Sequence, residues 1–299
     1  MTALIPGFDY RRVSVGDVTL NVAVGGRGDP IVLLRGFPQT HLAWRHVATE
    51  LAADHQVICP DLRGYGASDK PADDAGHTVY SKRTMAADIT ALAGRLGHDR
   101  FAVAGHDRGA GVAFRAALDH PDRISHLAVL GVIPSVDLWQ AMTVQLGAVL
   151  FHLYFMAHPA PFPERMIGAD PDGYFGHFLD VWVSDPGAIP ADVRAAYLDA
   201  ARGPESIRAI CADYRAGAFV DGRHDDEDRA LGRQLTMPVT ALWNQPAGTA
   251  PPFDYEEVWR TWAPRLSSVA LDGGHLLPDD RPKEVAAALR ALLSQVNQI

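Results

Sequence analysis

Phe101-Ala-Val-Ala-Gly-His-Asp-Arg-Gly-Ala-Gly-Val-Ala-Phe-Arg115 is the stretch on which the fold is decided. Its apolar start, Phe101–Ala104, reads as a buried strand. Gly105 and Gly109 bracket Asp107, and small residues then open an apolar pattern at helical spacing. The order is strand, sharp turn, helix, with Gly-x-Asp-x-Gly where a nucleophile elbow more often has Gly-x-Ser-x-Gly. Glycines suit a turn whose central residue is strained and whose neighbours pass close to other backbone. Asp107 then stands above the sheet at a helix N-terminus, a place that favours an anion. A carboxylate needs no base to activate it and can displace a leaving group from carbon, leaving an alkyl-enzyme ester. The competing reading is a glycine-rich turn with a capping Asp.

The same alternation continues on both sides of the elbow. Val13–Val15 and Val18–Val24 read as a hairpin around Gly16-Asp17, and Ile31–Leu34, Gln56–Cys59, Leu127–Leu130, Val239–Trp243 and Ser268–Leu271 as further strands. Met85–Leu96, Gly111–Leu118 and Val285–Val296 carry apolar residues at i, i+3, i+4. Strands alternating with helices predict an α/β fold, a mostly parallel eight-stranded sheet flanked by helices. From about Pro134 to Leu235 the alternation stops, and the chain is aromatic-rich, Pro-punctuated and without a buried strand. The expectation is a core of residues 1–133 and 236–299 and a helical cap of residues 134–235 over the sheet's carboxyl edge, where such sheets bind ligands.

Composition narrows the function classes. The 299 residues are 47% hydrophobic and 21% charged, enough apolar material for a large core. A net charge of −9 speaks against a nucleic-acid partner, which wants a basic surface. Two cysteines, Cys59 and Cys211, make no disulfide framework. Met1–Arg12 lacks a secretion signal, and no run of about 18 apolar residues offers a membrane span. The chain is therefore read as cytoplasmic, acting on a small molecule, with no cofactor or metal and with a homodimer left open. The acidic run Asp221–Asp228 reads as a solvated cap loop rather than a metal site.

Two partners for Asp107 follow from position. Gly273-Gly274-His275 comes after the last strand, where His275 would activate the water that cleaves the ester. Gly36-Phe37-Pro38 follows the third strand, and the N–H groups of Phe37 and Arg108 would form an oxyanion hole.

Arg35-Gly-Phe-Pro-Gln-Thr-His41, Asp61-Leu-Arg-Gly-Tyr-Gly-Ala-Ser-Asp69, Gly105-His-Asp-Arg-Gly109, Pro159-Ala-Pro-Phe-Pro-Glu164 and Asp213-Tyr-Arg-Ala-Gly-Ala218 together resemble the fluoroacetate (haloacetate) dehalogenases. These belong to the α/β-hydrolase superfamily, beside epoxide hydrolases and haloalkane dehalogenases, and the resemblance runs end to end. It implies Asp107 as nucleophile, His275 as base, Arg108 as a carboxylate-binding arginine, and His152 and Tyr214 as halide-side groups. Four positions depart from the family pattern. Gly111 stands where a second carboxylate-binding arginine belongs, Leu153 in place of a tryptophan whose indole N–H faces the halide, Gly131 in place of the acid that orients the His, and Arg35 in place of a His.

Loss of the arginine loosens the grip on a two-carbon acid, and loss of the indole removes a donor worth about 2–4 kcal/mol to a developing anion. The first reading is accordingly an epoxide-hydrolase-like enzyme on a substrate larger than haloacetate, with Tyr214 protonating the leaving alkoxide. Tyr214 as a packed amphipathic aromatic competes with that role. The second reading is a haloacid dehalogenase, and the third a non-hydrolytic cyclase, isomerase or ligand-binding protein on the same scaffold. Asn244, Asp137 and Asp272 are candidates to orient His275 in the absence of an acid at Gly131. Arg35 and His41 are candidates for substrate contact, as is Trp182, although the tryptophans Trp139, Trp182, Trp243, Trp259 and Trp262 read most simply as packing groups.

Overall fold

The structure is a computed structural model and describes residues 4–295. The apolar runs become eight strands: β1 Asp9–Ser14, β2 Thr19–Gly25, β3 Asp29–Leu34, β4 His55–Pro60, β5 Phe101–His106, β6 Ile124–Leu130, β7 Val239–Asn244 and β8 Leu266–Leu271. They form one sheet in the order β1-β2-β4-β3-β5-β6-β7-β8. β1 pairs antiparallel with β2, as the Gly16-Asp17 turn requires, and β2 pairs antiparallel with β4. All later neighbours are parallel. β5 at the centre is buried along its whole length, which is why its sequence reads as an apolar run and not as an alternation.

Helices cover both faces. Lys82–Arg95 begins with Ser81 as its N-cap, the hydroxyl accepting from Thr84 N–H. Arg108–Asp119 packs through Gly109, Ala110, Ala113, Ala116 and Ala117, small enough to bring the helix close to the sheet. Pro282–Leu293 closes the fold; its expected end at Val296 lies outside the described residues. Between β6 and β7 the chain makes only helices, from Ser135 to Ala230. No helix of the described residues is long and apolar enough to cross a membrane.

The strand order places the site. From β3 the chain moves outward to β4, then crosses back so that β5 lies on the other side of β3. The loops leaving β3 and β5 therefore diverge at their carboxyl ends, the crevice where open α/β sheets hold ligands. Leu34 lies beside Gly105 in the parallel register, so Phe37 and Asp107 emerge together.

One expectation for the insertion is overturned. Asp221–Asp228 is not a solvated loop: residues Gly222–Ala230 are helical, and Asp221, Asp225 and Asp228 are buried. Their spacing puts them on one face, toward Lys82 and Arg115. Arg115 pairs with Asp225 and Asp228, and Lys82 with Asp221.

Candidate active site

Asp107 joins β5 to the helix Arg108–Asp119 with φ 55° and ψ −128°, a left-handed conformation that costs a non-glycine residue energy. The flanking glycines are there for space. A Cβ on Gly105 would come within 2.2 Å of the Gly109 carbonyl oxygen, and one on Gly109 within 2.6 Å of the Leu34 carbonyl carbon. The turn pushes the Asp107 side chain out at the crevice, where its two oxygens meet different surroundings. Oδ1 accepts the Phe37 N–H at 2.7 Å, and the Arg108 N–H also stabilises the carboxylate. Oδ2 faces His275 Nε2 at 3.5 Å.

Burial pushes the Asp107 pKa up, but His275, the charge of Arg35 and the backbone donor outweigh it and hold the group well below the usual carboxylate range. Asp107 is thus an anion at any ordinary pH. The His275 loop is fixed from beneath and beside. His106 Nε2 donates to the His275 carbonyl at 2.7 Å, and the Trp182 ring stands 4.8 Å from the imidazole.

Opposite these groups the insertion supplies an aromatic wall. Phe37 stacks on His152 (5.9 Å, 12°) and meets Tyr214 edge-on (5.5 Å, 81°), while Trp182 lies 5.1 Å from His152. The Tyr214 hydroxyl and His152 Nδ1 are buried without a hydrogen-bond partner among the described residues. Burial, with the charge of Asp107, raises the Tyr214 pKa well above its ordinary value, so the phenol keeps its proton. Burial drives the His152 pKa down to about 3, so that ring is neutral. Leu153 is buried beside it and offers no donor. Trp182, read above mainly as packing, belongs to this wall.

Arg108 does not point a free guanidinium at the site. Its Nε and Nη2 donate to the two Asp213 carboxylate oxygens at 2.8 and 2.9 Å, and its cation stands 4.5 Å over the Tyr214 ring. Asp213, fully buried, also accepts from Lys82 Nζ and from the Tyr65 hydroxyl (2.6 Å), and the two cations bring its pKa down to about 2 against the effect of burial. The Arg108 Nε–Nη2 edge is thus taken by Asp213, and its Nη1 makes no hydrogen bond among the described residues. A Cβ on Gly111 would meet the Lys82 side chain at 3.4 Å, so this position lies against Lys82. Sequence reasoning missed Lys82, and quoted Asp213 only as part of a motif.

Other expected neighbours lie elsewhere. His41 is held by Asp61 (Nδ1 to Oδ1, 2.8 Å) and by Tyr10 (3.2 Å), lining a different cavity of about 980 Å³, and so does not touch the elbow. Asp137 is taken by Arg229 (2.6 Å) and by the Trp262 indole (3.0 Å), and Asp272 accepts from Ala247 N–H at 3.2 Å. Asn244 ends β7 opposite Leu271. Among the described residues the only carboxylate paired with the His275 ring is Asp107 itself. At Gly131, φ is 76° and a Cβ would lie 3.1 Å from His106 Nε2 and 3.2 Å from His275 Cε1, so a side chain here would be strained and crowd both imidazoles. The Arg35 backbone passes the elbow, its N–H nitrogen 2.8 Å from where a Cβ on Gly109 would lie. The residue is buried, with Nε, Nη1 and Nη2 all unpartnered among the described residues.

Comparison with known proteins agrees with this architecture. Residues 29–282 match the α/β hydrolase fold family, and the chain belongs to it. It is 41% identical to a fluoroacetate dehalogenase from Burkholderia sp over 97% of this chain and 95% of that protein. It is 31% identical to a soluble epoxide hydrolase from Corynebacterium sp. (strain C12) over 92% and 94%. A solved structure from Nostoc sp PCC 7120 superposes with a TM-score of 0.94 at 35% identity, covering 98% of this chain and all of that one. The chain is an α/β-fold hydrolase whose relatives include both dehalogenases and epoxide hydrolases.

Proposed function

We propose that the protein opens epoxides through Asp107, with residues 134–235 acting as the cap that supplies the proton donor. Asp107 Oδ2 forms a bond to a ring carbon while that carbon's bond to the ring oxygen breaks. The Tyr214 hydroxyl gives its proton to the departing oxygen, and the product is a hydroxyalkyl ester of Asp107. His275 Nε2 then takes a proton from water, and the hydroxide attacks the ester carbonyl. The oxyanion formed is held where Oδ1 now sits, by the N–H groups of Phe37 and Arg108. Collapse expels the second oxygen, which takes the proton of the added hydroxyl, so a diol leaves and Asp107 is again a carboxylate; the proton on His275 returns to the Tyr214 phenolate through solvent.

The observation that carries this reading is the Tyr214 hydroxyl, buried and without a hydrogen-bond partner among the described residues, on a ring packed edge-on against Phe37, whose N–H holds Asp107. An alkoxide needs a proton as it leaves and a halide does not. The engagement of Arg108 by Asp213 further disfavours a two-arginine grip on haloacetate. The test is a panel of epoxides and haloacetates assayed for diol and for free halide. Diol from epoxides in excess of halide from haloacetates is expected. Halide release with no diol would put the haloacid reading, which the dehalogenase relative favours, in its place.

A further inference from the structure

A base takes a proton only from a water that lies in line with its ring nitrogen. An imidazole with no carboxylate to orient it must therefore be aimed by its own backbone and its neighbours. His275 is in that position: among the described residues the only carboxylate paired with its ring is Asp107, the group whose ester it must hydrolyse. The peptide around it is held on both sides. The Gly274 N–H donates to Asp280 Oδ2 at 2.7 Å, and the His275 carbonyl accepts from the Leu277 N–H at 2.8 Å as well as from His106.

Asp280 also reaches across to the insertion. Its Oδ2 accepts from the Ser184 hydroxyl at 2.6 Å, and its Oδ1 from the Ser184 and Asp185 N–H groups at 3.1 and 3.0 Å. These two residues closely follow Trp182, whose ring stands 4.8 Å from the imidazole at an angle of 70°. The Trp182 carbonyl in turn accepts from the Leu276 N–H at 3.0 Å. The two segments pass so close that a Cβ on Gly274 would lie 2.4 Å from the Trp182 carbonyl oxygen and 2.7 Å from the Ser184 nitrogen. Burial works against a charge on Asp280, but the Ser184, Gly274 and Asp185 donors outweigh it and hold the carboxyl below its ordinary range.

We infer that Asp280 is the positioning residue of His275: its carboxylate clamps the Gly274 peptide to the Trp182–Asp185 segment and so aims Nε2 at the water that cleaves the Asp107 ester. The clamp does through the main chain what an orienting acid does through the ring. This rests on the ester-forming, two-step reading of the site, and holds whether an alkoxide or a halide leaves.

The clamp governs the second step, so the test separates the two. The wild type, Asp280→Asn and Asp280→Ala are alkylated with styrene oxide and, in parallel, with chloroacetate. The reagent is then removed, and mass spectrometry follows the adduct on Asp107 as it forms and as it decays. In the variants decay should slow by roughly a hundredfold, the scale for a catalytic group displaced by about 1 Å, while alkylation changes by less than about threefold. A merely structural role would lower the amount of adduct and leave its lifetime alone. Where Asp280→Ala does not fold, Asp280→Asn, which keeps the volume, gives the same reading. Decay as fast as in the wild type, or alkylation slowed as much as decay, overturns the inference. If neither reagent alkylates the wild type, the two-step reading fails, and nuclear Overhauser contacts between the His275 ring protons and the Trp182 indole decide whether Asp280 aims His275. They should be present in the wild type and lost in the variants. Contacts that persist in the variants, or are absent from the wild type, overturn the clamp.

Discussion

Tyr214 carries the choice between leaving groups. Its hydroxyl has no partner, its ring is fixed between Phe37 and the Arg108 cation, and its proton is retained because burial and Asp107 both oppose ionisation. Tyr214→Phe keeps the packing and removes only the proton donor. The expected result is a fall in kcat for epoxide opening of about a hundred- to ten-thousand-fold, the range for one general acid. A loss below about threefold would return Tyr214 to the role of a packed aromatic. His275 is the weaker half of the machinery, since Asp107 is the only carboxylate paired with its ring among the described residues. A base without an acid to stabilise its imidazolium should make ester hydrolysis the slow step.

At the scale of elements, the helices Arg108–Asp119 and Pro204–Ala216 are tied by one carboxylate. Asp213 accepts from Arg108 on the first of these and from Lys82 on a third helix, so it pins the insertion to the core directly above the elbow. Asp213→Asn would leave the buried Arg108 without its anion and Lys82 with Asp221 alone. Breaking a buried pair by removing one partner costs about 3–5 kcal/mol, far more than an exposed pair such as Arg260–Glu256, which is worth about 0–1 kcal/mol. Urea unfolding of the two variants, Asp213→Asn and Glu256→Gln, checks this. Similar small losses from both would mean that the buried network does not brace the fold.

At the scale of the whole molecule, the acidic face of the helix Gly222–Ala230 makes stability depend on pH. Burial raises the Asp225 pKa from 3.8 to about 7, although Arg115 beside it pulls the other way. A carboxyl with a raised folded-state pKa binds its proton more tightly when folded. Its contribution is complete below the unfolded value and is lost as pH rises through about 7. The difference in unfolding free energy between the wild type and Asp225→Asn should therefore decline from pH 5 to pH 8, as the Asp225 contribution is lost. Parallel slopes in the two proteins would contradict the assignment.

The fold was legible because central strands buried on both faces leave unmistakable apolar runs; the first strand, expected at Val13–Val15, instead runs Asp9–Ser14, an exposed edge strand with no apolar run to mark its start. Within the site, Asp107, Phe37 and His275 were legible as local turn chemistry, each in a glycine-marked loop at a strand end. The roles of Tyr214 and His152 came only through resemblance. The Arg108–Asp213 pair was not legible, since its members are 105 residues apart and no periodicity links them. The buried row Asp221, Asp225, Asp228 did carry a signal, its helical spacing, but the density of charge around it reads as a solvated loop.

The claim on which everything else stands is that Asp107 is a carbon nucleophile, and intact-protein mass spectrometry with peptide mapping tests it most directly. The protein and Asp107→Asn are incubated with reactive epoxides and quenched early. The expected result is an adduct of the epoxide's mass on the peptide containing Asp107, absent from Asp107→Asn and persistent because no carboxylate of the described residues other than Asp107 pairs with His275. Diol production with no adduct on Asp107, undiminished in Asp107→Asn, would contradict the account and move the chemistry away from the elbow.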